Sequence, residues 1–148
     1  MTNTHIISEI AITYKPNHYT KEALSSVTNA ADILRMFWNP ETIEYYEECK
    51  VLYLDRANHI LGVYNVSKGG LNGTVMDVRM IFQGALKANA HSIIVSHNHP
   101  SGNREPSELD RTITRQIKSA GEFLSIKLLD HIIMTKDSYL SFRDNGYL

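Results

Sequence analysis

Apolar positions along the chain fall into runs whose period changes from two to nearly four and back. Ile10, Ile12 and Tyr14 alternate with Ala11 and Thr13, the pattern of a strand with one buried face. Between Ser26 and Trp38, Val27, Ala31, Leu34 and Trp38 recur at helical spacing. Asn39-Pro40 ends that helix, because the residue before a proline is pushed out of the α region. "CKVLYLD" and "HILGVYNV" read as two strands, and the short "RAN" between them suits a hairpin. Val78, Ile81, Phe82, Ala85 and Leu86 predict an amphipathic helix capped by Asp77. Gly84 lies inside it at a cost of about 1 kcal/mol against alanine, which predicts a close helix–sheet contact. "SIIVSH" is apolar on both faces and predicts a buried central strand. A further helix is expected from Ser107 to Gly121 with Leu109, Ile113, Ile117 and Ala120 inward; "IKLLDHIIMT" and "YLSFRD" follow as strands.

Strands interleaved with helices in this order predict an α/β sandwich, and the hairpins make its sheet mixed rather than purely parallel. A chain of 148 residues can enclose a proper core, and no Pro/Gly/Ser-rich linker divides it. We read residues 1–40 as an N-terminal strand and helix packed on a core of residues 41–148. A hydrophobic share of 43% and a charged share of 21% fit a soluble globular protein. The formal net charge of -1 argues against a polycationic nucleic-acid binder. Cys49 is the only cysteine, so no intramolecular disulfide can form and zinc sites built on two or four cysteines are excluded. The N-terminus lacks a signal-peptide pattern, and no run reaches the ~20 apolar residues of a membrane span, so a cytoplasmic protein is expected. "SKGGLNGT" has neither a P-loop Lys-Ser/Thr pair nor the G-x-G-x-x-G order and reads as a plain turn.

The chemistry concentrates in "SHNHPSGNREPSELD", Ser96 to Asp110. Residues two apart on a strand point the same way with Cα atoms roughly 6.6–6.8 Å apart, so His97 and His99 can aim at one point. Pro100, Ser101 and Gly102 turn the chain, and Ser107 begins the next helix with Asp110 leaning towards the sheet. Two imidazoles and a carboxylate leave a fourth tetrahedral position for water, the pattern of a catalytic zinc. Ser107-x-x-Asp110 can equally be an N-cap with an acidic residue favoured by the helix dipole. His5, His18 and His59 are expected in solvent, His91 as a supporting residue behind the site, and Asp130-His131 as a buried, structural hydrogen-bonded pair.

His97-x-His99, seven residues, Ser107, two residues, Asp110 matches the JAMM motif of the JAB/MPN+ metalloproteases. "HNHPSGNREPSELD" resembles its bacterial RadC-like branch, as do "YEECKVLYLDRANHILG", "GTVMDVRMIFQGALKANAHSIIVSHNHPSG", "LLDHIIMT" and "YLSFRDNGYL" in the same order, from about Glu44 to Leu148. The resemblance implies a cytidine-deaminase-like three-layer α/β/α sandwich around a mixed β-sheet, holding one zinc on His97, His99 and Asp110. It implies that Ser107 stabilises the tetrahedral intermediate or orients the attacking water. It also implies an upstream glutamate as general acid/base, for which Glu47 and Glu48 are candidates on opposite faces, with Glu47 the better match in register. The resemblance further implies a comparison with full-length members of the family, which usually carry a helix-hairpin-helix region ahead of this domain. Such a region is not expected within these 148 residues, so an association with DNA repair is expected to transfer poorly.

The function this implies is zinc-dependent hydrolysis of a peptide or isopeptide bond in a peptide or protein substrate. A metal-dependent nuclease or phosphodiesterase is one rival, and it would want more carboxylates and a basic groove. A metal-binding scaffold without activity is another. Exposed edge strands permit a homo-oligomer.

Overall fold

The computed structural model describes residues 8–16, 23–24, 27–69 and 76–148. His5, His18 and most of the glycine-rich "SKGGLNGT" stretch lie outside them. The elements are α1 (Val27–Arg35), β1 (Glu48–Leu54), β2 (Ile60–Lys68), α2 (Val78–Lys87), β3 (Ser92–Asn98), α3 (Glu108–Leu124), β4 (Lys127–Met134) and β5 (Tyr139–Ser141). They form one five-stranded sheet in the order β2-β1-β3-β4-β5. Only the β3–β4 pair is parallel, so the sheet is mixed.

Alternation along the central strands divides the core in two. Cys49, Val51, Tyr53, Ile93 and Val95 face one way and pack with Ile81, Phe82, Ala85 and Ile117 of α2 and α3. Leu52, Leu54, Ile94, Ile132 and Met134 face the other way and meet Ala30, Ala31 and Leu34 of α1, with Trp38 and Ile43. Helices on both faces make the three-layer α/β/α sandwich. Every residue of β3 is buried, as its continuous apolar run requires. Cys49 is fully buried, and desolvation pushes its thiol up to about 12, so it is an inert core residue. Among the described residues no helix is long and apolar enough to cross a membrane.

Local chemistry explains the connections. In the β1–β2 hairpin the Asp55 carboxylate accepts from the backbone N–H groups of Ala57 and His59, each at 2.9 Å. Asn58, at φ 62°, completes the turn in the left-handed region that Asn tolerates. Asp77 caps α2 by accepting from the Arg79 N–H at 2.9 Å. A Cβ at Gly84 would overlap the Tyr53 hydroxyl, which itself donates to the Ile81 carbonyl at 2.7 Å. That close approach is why a glycine stands within α2.

Three expectations are corrected. Residues 10–14 form no strand; Ile10 is 84% and Ile12 55% exposed, and the Tyr14 hydroxyl ties the segment to the Leu61 carbonyl. Alternation makes a strand only where a neighbour takes up the backbone groups. Leu86 and Leu109 are also exposed, at 55% and 73%. The buried positions of α3 are Asp110, Thr114, Ile117 and Gly121, with Ile113 and Ala120 partly buried against the same core, so the helix is turned to bring polar groups to the sheet.

Replacing Gly84 by alanine tests the helix–sheet contact. Helix propensity alone favours the variant by about 1 kcal/mol. Overpacking against Tyr53 should outweigh that and leave it destabilised by about 1–3 kcal/mol in urea unfolding. A more stable variant would show that the contact is slack.

Candidate metal centre

The centre forms where β3 ends. Cys49 of β1 pairs with His97 of β3, and the His99 N–H donates to the Met134 carbonyl at 3.0 Å, so the backbone stays extended through Asn98. His97 and His99 therefore face the same side of the sheet, the side covered by α3. Gly102, at φ 82°, then turns the chain, its N–H donating to the His99 carbonyl at 3.0 Å. α3 starts with a reciprocal cap: Ser107 Oγ accepts from the Asp110 N–H at 3.0 Å, and the Asp110 carboxylate accepts from the Ser107 N–H at 2.8 Å. The same geometry delivers Asp110 to the histidines, with Oδ1 3.3 Å from His97 Nε2 and Oδ2 3.3 Å from His99 Nε2. The cap and the metal-ligand geometry coexist in one carboxylate.

These three side chains form a group able to hold a metal ion. His99 Nδ1 lies 2.7 Å from the Asn103 carbonyl, which can only accept, so Nδ1 carries the proton and Nε2 presents a lone pair. His97 Nε2 stands 2.9 Å from His99 Nε2, facing the same carboxylate. A tetrahedral zinc with bonds of about 2.0–2.1 Å needs donor–donor edges of about 3.3–3.4 Å. Each imidazole meets that distance to a different oxygen of Asp110, at 3.3 Å, and with one ligand atom per residue the donors all lie within 4.8 Å of one another, so a cation needs a small rearrangement of the three side chains. The electrostatics agree. Burial works to raise the Asp110 carboxyl, but the facing His97 and His99 rings outweigh it and hold the group well below the usual carboxylate range. Burial likewise disfavours a charged His99, yet Asp110, the Asn103 carbonyl and Glu47 push its pKa up. The centre is built to hold positive charge.

A family model described as "RadC-like JAB domain" matches residues 24–147. The chain belongs to the RadC-like JAB domain family. Its relatives include UPF0758 proteins of Flavobacterium johnsoniae (46% identical over 68% of this chain and 44% of the relative) and Chlorobium chlorochromatii (40% identical over 88% and 59%). A third, from Clostridium botulinum, is 42% identical over 69% of this chain and 44% of its own length. The chain thus spans about half the length of the curated relatives it matches. The family match reaches upstream of Glu44 to take in α1, whose side chains fill one of the two cores.

In this RadC-like JAB domain the two glutamates are separated by strand alternation. Continuing the β1–β3 register places Glu47 across from His99, on the face that carries the centre, and its charge acts on the His99 ring. Glu48 shares the parity of Lys50 on the opposite face, where its carboxylate stands 3.7 Å from Lys50 Nζ. Asn98, between the two histidines, also points to that opposite face. Its Oδ1 accepts from the Glu48 N–H at 2.7 Å, and its Nδ2 donates to the carbonyls of Ile43 at 2.7 Å and Tyr46 at 2.9 Å. One buried amide thus clamps the backbone on both sides of Glu47.

The remaining histidines divide differently from expectation. His91 is exposed at the far end of β3 from the centre, because the strand is too long for both ends to approach one site. His59 stands 3.1 Å from the Asp55 carboxylate, within the hairpin. Asp130 and His131 are both buried, but their side chains do not pair with each other. Asp130 accepts from Ser141 Oγ and from the N–H groups of Arg143 and His131, whereas the His131 ring lies against His97. Burial, with His97 beside it, holds His131 well below the ordinary imidazole range. The parallel β3–β4 pairing creates this contact, and no spacing along the chain announces it.

Replacing Asn98 by aspartate keeps the shape but sets a carboxylate oxygen against two carbonyls. The variant should lose about 1–3 kcal/mol in chemical denaturation. Unchanged stability would remove the clamp from this account.

Proposed function

We propose that this RadC-like JAB domain is a zinc-dependent hydrolase of the JAMM type, cleaving a peptide or isopeptide amide bond in a peptide or protein substrate. The observation that carries the reading is the convergence of three electron-pair donors, His97 Nε2, His99 Nε2 and Asp110, at the end of a buried strand. Zinc held there supplies Lewis acidity towards a carbonyl and lowers the pKa of water. Glu47 acts as general base, taking the proton of the attacking water on its carboxylate and passing it to the leaving amine. Ser107 Oγ already accepts from the Asp110 N–H, which leaves its O–H to donate to the developing oxyanion. Among the described residues this is the one cluster of three or more such ligands, which favours single-metal hydrolysis over a two-metal phosphodiesterase. The single buried thiol accords with a cytoplasmic location.

The test begins with elemental analysis of protein purified without added metal, where about one zinc per chain is expected. His99→Ala should lose that zinc. With fluorogenic peptides and lysine-linked isopeptides as substrates, Glu47→Gln should retain zinc and lose about 10²–10⁴-fold in rate. Absence of zinc from wild-type protein would sink the reading, and loss of activity in Glu48→Gln alone would move the base to Glu48.

A further inference from the structure

We propose that Thr114 and His131 form a positioning relay that fixes the tautomer of His97 and so presents its Nε2 to the metal; this rests on the metal-binding reading above. Thr114 Oγ1 lies 2.6 Å from the Asp110 carbonyl and 2.6 Å from His131 Nδ1. The carbonyl can only accept, so the single hydroxyl proton of Thr114 is committed to it. Thr114 Oγ1 must then accept from His131 Nδ1–H. The His131 ring is fully buried, with Asp130 turned away to Ser141 and Arg143. The ring's hydrogen-bond partners are Thr114 and His97, and with no carboxylate among them to balance a second proton, a proton on Nδ1 leaves a lone pair on Nε2. That lone pair faces His97 Nδ1 at 2.7 Å, which requires the proton to sit on His97 Nδ1. The remaining nitrogen of His97, Nε2, is thereby a donor of electrons to the cation.

The relay starts on the ligand helix and ends on the ligand strand. The Asp110 backbone carbonyl orients Thr114 one turn later, Thr114 orients His131 on β4, and His131 orients His97 on β3. Phe142 stacks on the His131 ring with centroids 4.5 Å apart and planes 21° apart, which holds the ring plane. Phe142 in turn meets Tyr147, whose face carries the Arg111 guanidinium. This gives buried Phe142 a role: it backs the His131 ring and is itself braced by Tyr147. The opposite ligand, His99, is set by a backbone carbonyl alone, so the two histidines are oriented by independent means. Partners of this kind change metal affinity by about 10–100-fold when removed.

Nitrogen-15 spectra of the histidine rings in the full chain, stripped of metal, read the tautomers directly. His97 and His131 should both be protonated at Nδ1. Thr114→Val removes the acceptor and should release His131 from that tautomer, whereas Thr114→Ser should preserve it. Zinc affinity, measured by competition with a chromophoric chelator, should fall about 10–100-fold in His131→Leu. His131→Gln, which keeps an oxygen acceptor facing His97, should recover most of it. A His131 ring protonated at Nε2 in wild-type protein overturns the relay, as does a folded Thr114→Val or His131→Leu variant with wild-type zinc affinity. A wild-type chain that binds no zinc would defeat the hydrolase reading, while the tautomers would still decide the relay.

Discussion

The centre depends first on the pairing of β3 between two strands of opposite direction. Antiparallel β1 and parallel β4 hold all seven residues of β3 in an extended, fully buried ladder. That double constraint fixes which way each side chain points at the strand's end. Serine, histidine and asparagine thus emerge from an apolar strand in directions that they could not hold alone. Ser96 shows the same discipline, its hydroxyl donating to the Ile132 carbonyl at 2.8 Å inside the sheet. A ladder on both sides makes misdirection of His97 costly, because any rotation of the strand would move the whole apolar set.

Burying polar groups this close to the core carries a penalty unless each one is satisfied. The solution is a set of groups that serve twice. Asp110 is at once the third residue of the α3 capping box and a carboxylate facing two imidazoles. Asn98 fills the opposite face of the same strand end and ties down the backbone on either side of Glu47. Orienting Asp110 and Thr114 inward leaves Leu109 in water, a small loss of apolar burial against a satisfied polar interior. The electrostatic consequence is a pocket in which the facing rings hold the Asp110 carboxyl well below the usual carboxylate range, while Asp110, the Asn103 carbonyl and Glu47 raise His99 against its burial.

The apolar layers fix distances rather than chemistry. Tyr53 against Gly84 sets how closely α2 lies on β1, and Gly121 sits against the Ile126 carbonyl where α3 hands over to β4. On the other face, α1 is stapled to the β4–β5 turn by Arg35, whose guanidinium donates to the carbonyls of Thr135, Lys136 and Ser138. Both helical layers therefore hold the sheet that carries the histidines.

The sequence by itself determined most of the elements, the mixed sheet and the three side chains that converge at the end of β3, because those rest on local signals. Periodicity marked α2, α3 and β3, a cap marked Asp77 and Ser107, and a two-residue spacing marked His97 with His99. Alternation alone set Glu47 and Glu48 on opposite faces, as the strand register does, while the preference for Glu47 came from the family resemblance. What only the tertiary structure decided is whatever depends on a neighbour distant in the chain. Ile10 to Tyr14 pair with no strand among the described residues, so their alternation produced no ladder. α3 turned towards polar contacts that its own leucines could not foretell. His131 meets His97 across 34 positions of sequence. A parallel strand pair joined through a helix has no short-range signature, and only the packed sheet sets which residues lie side by side.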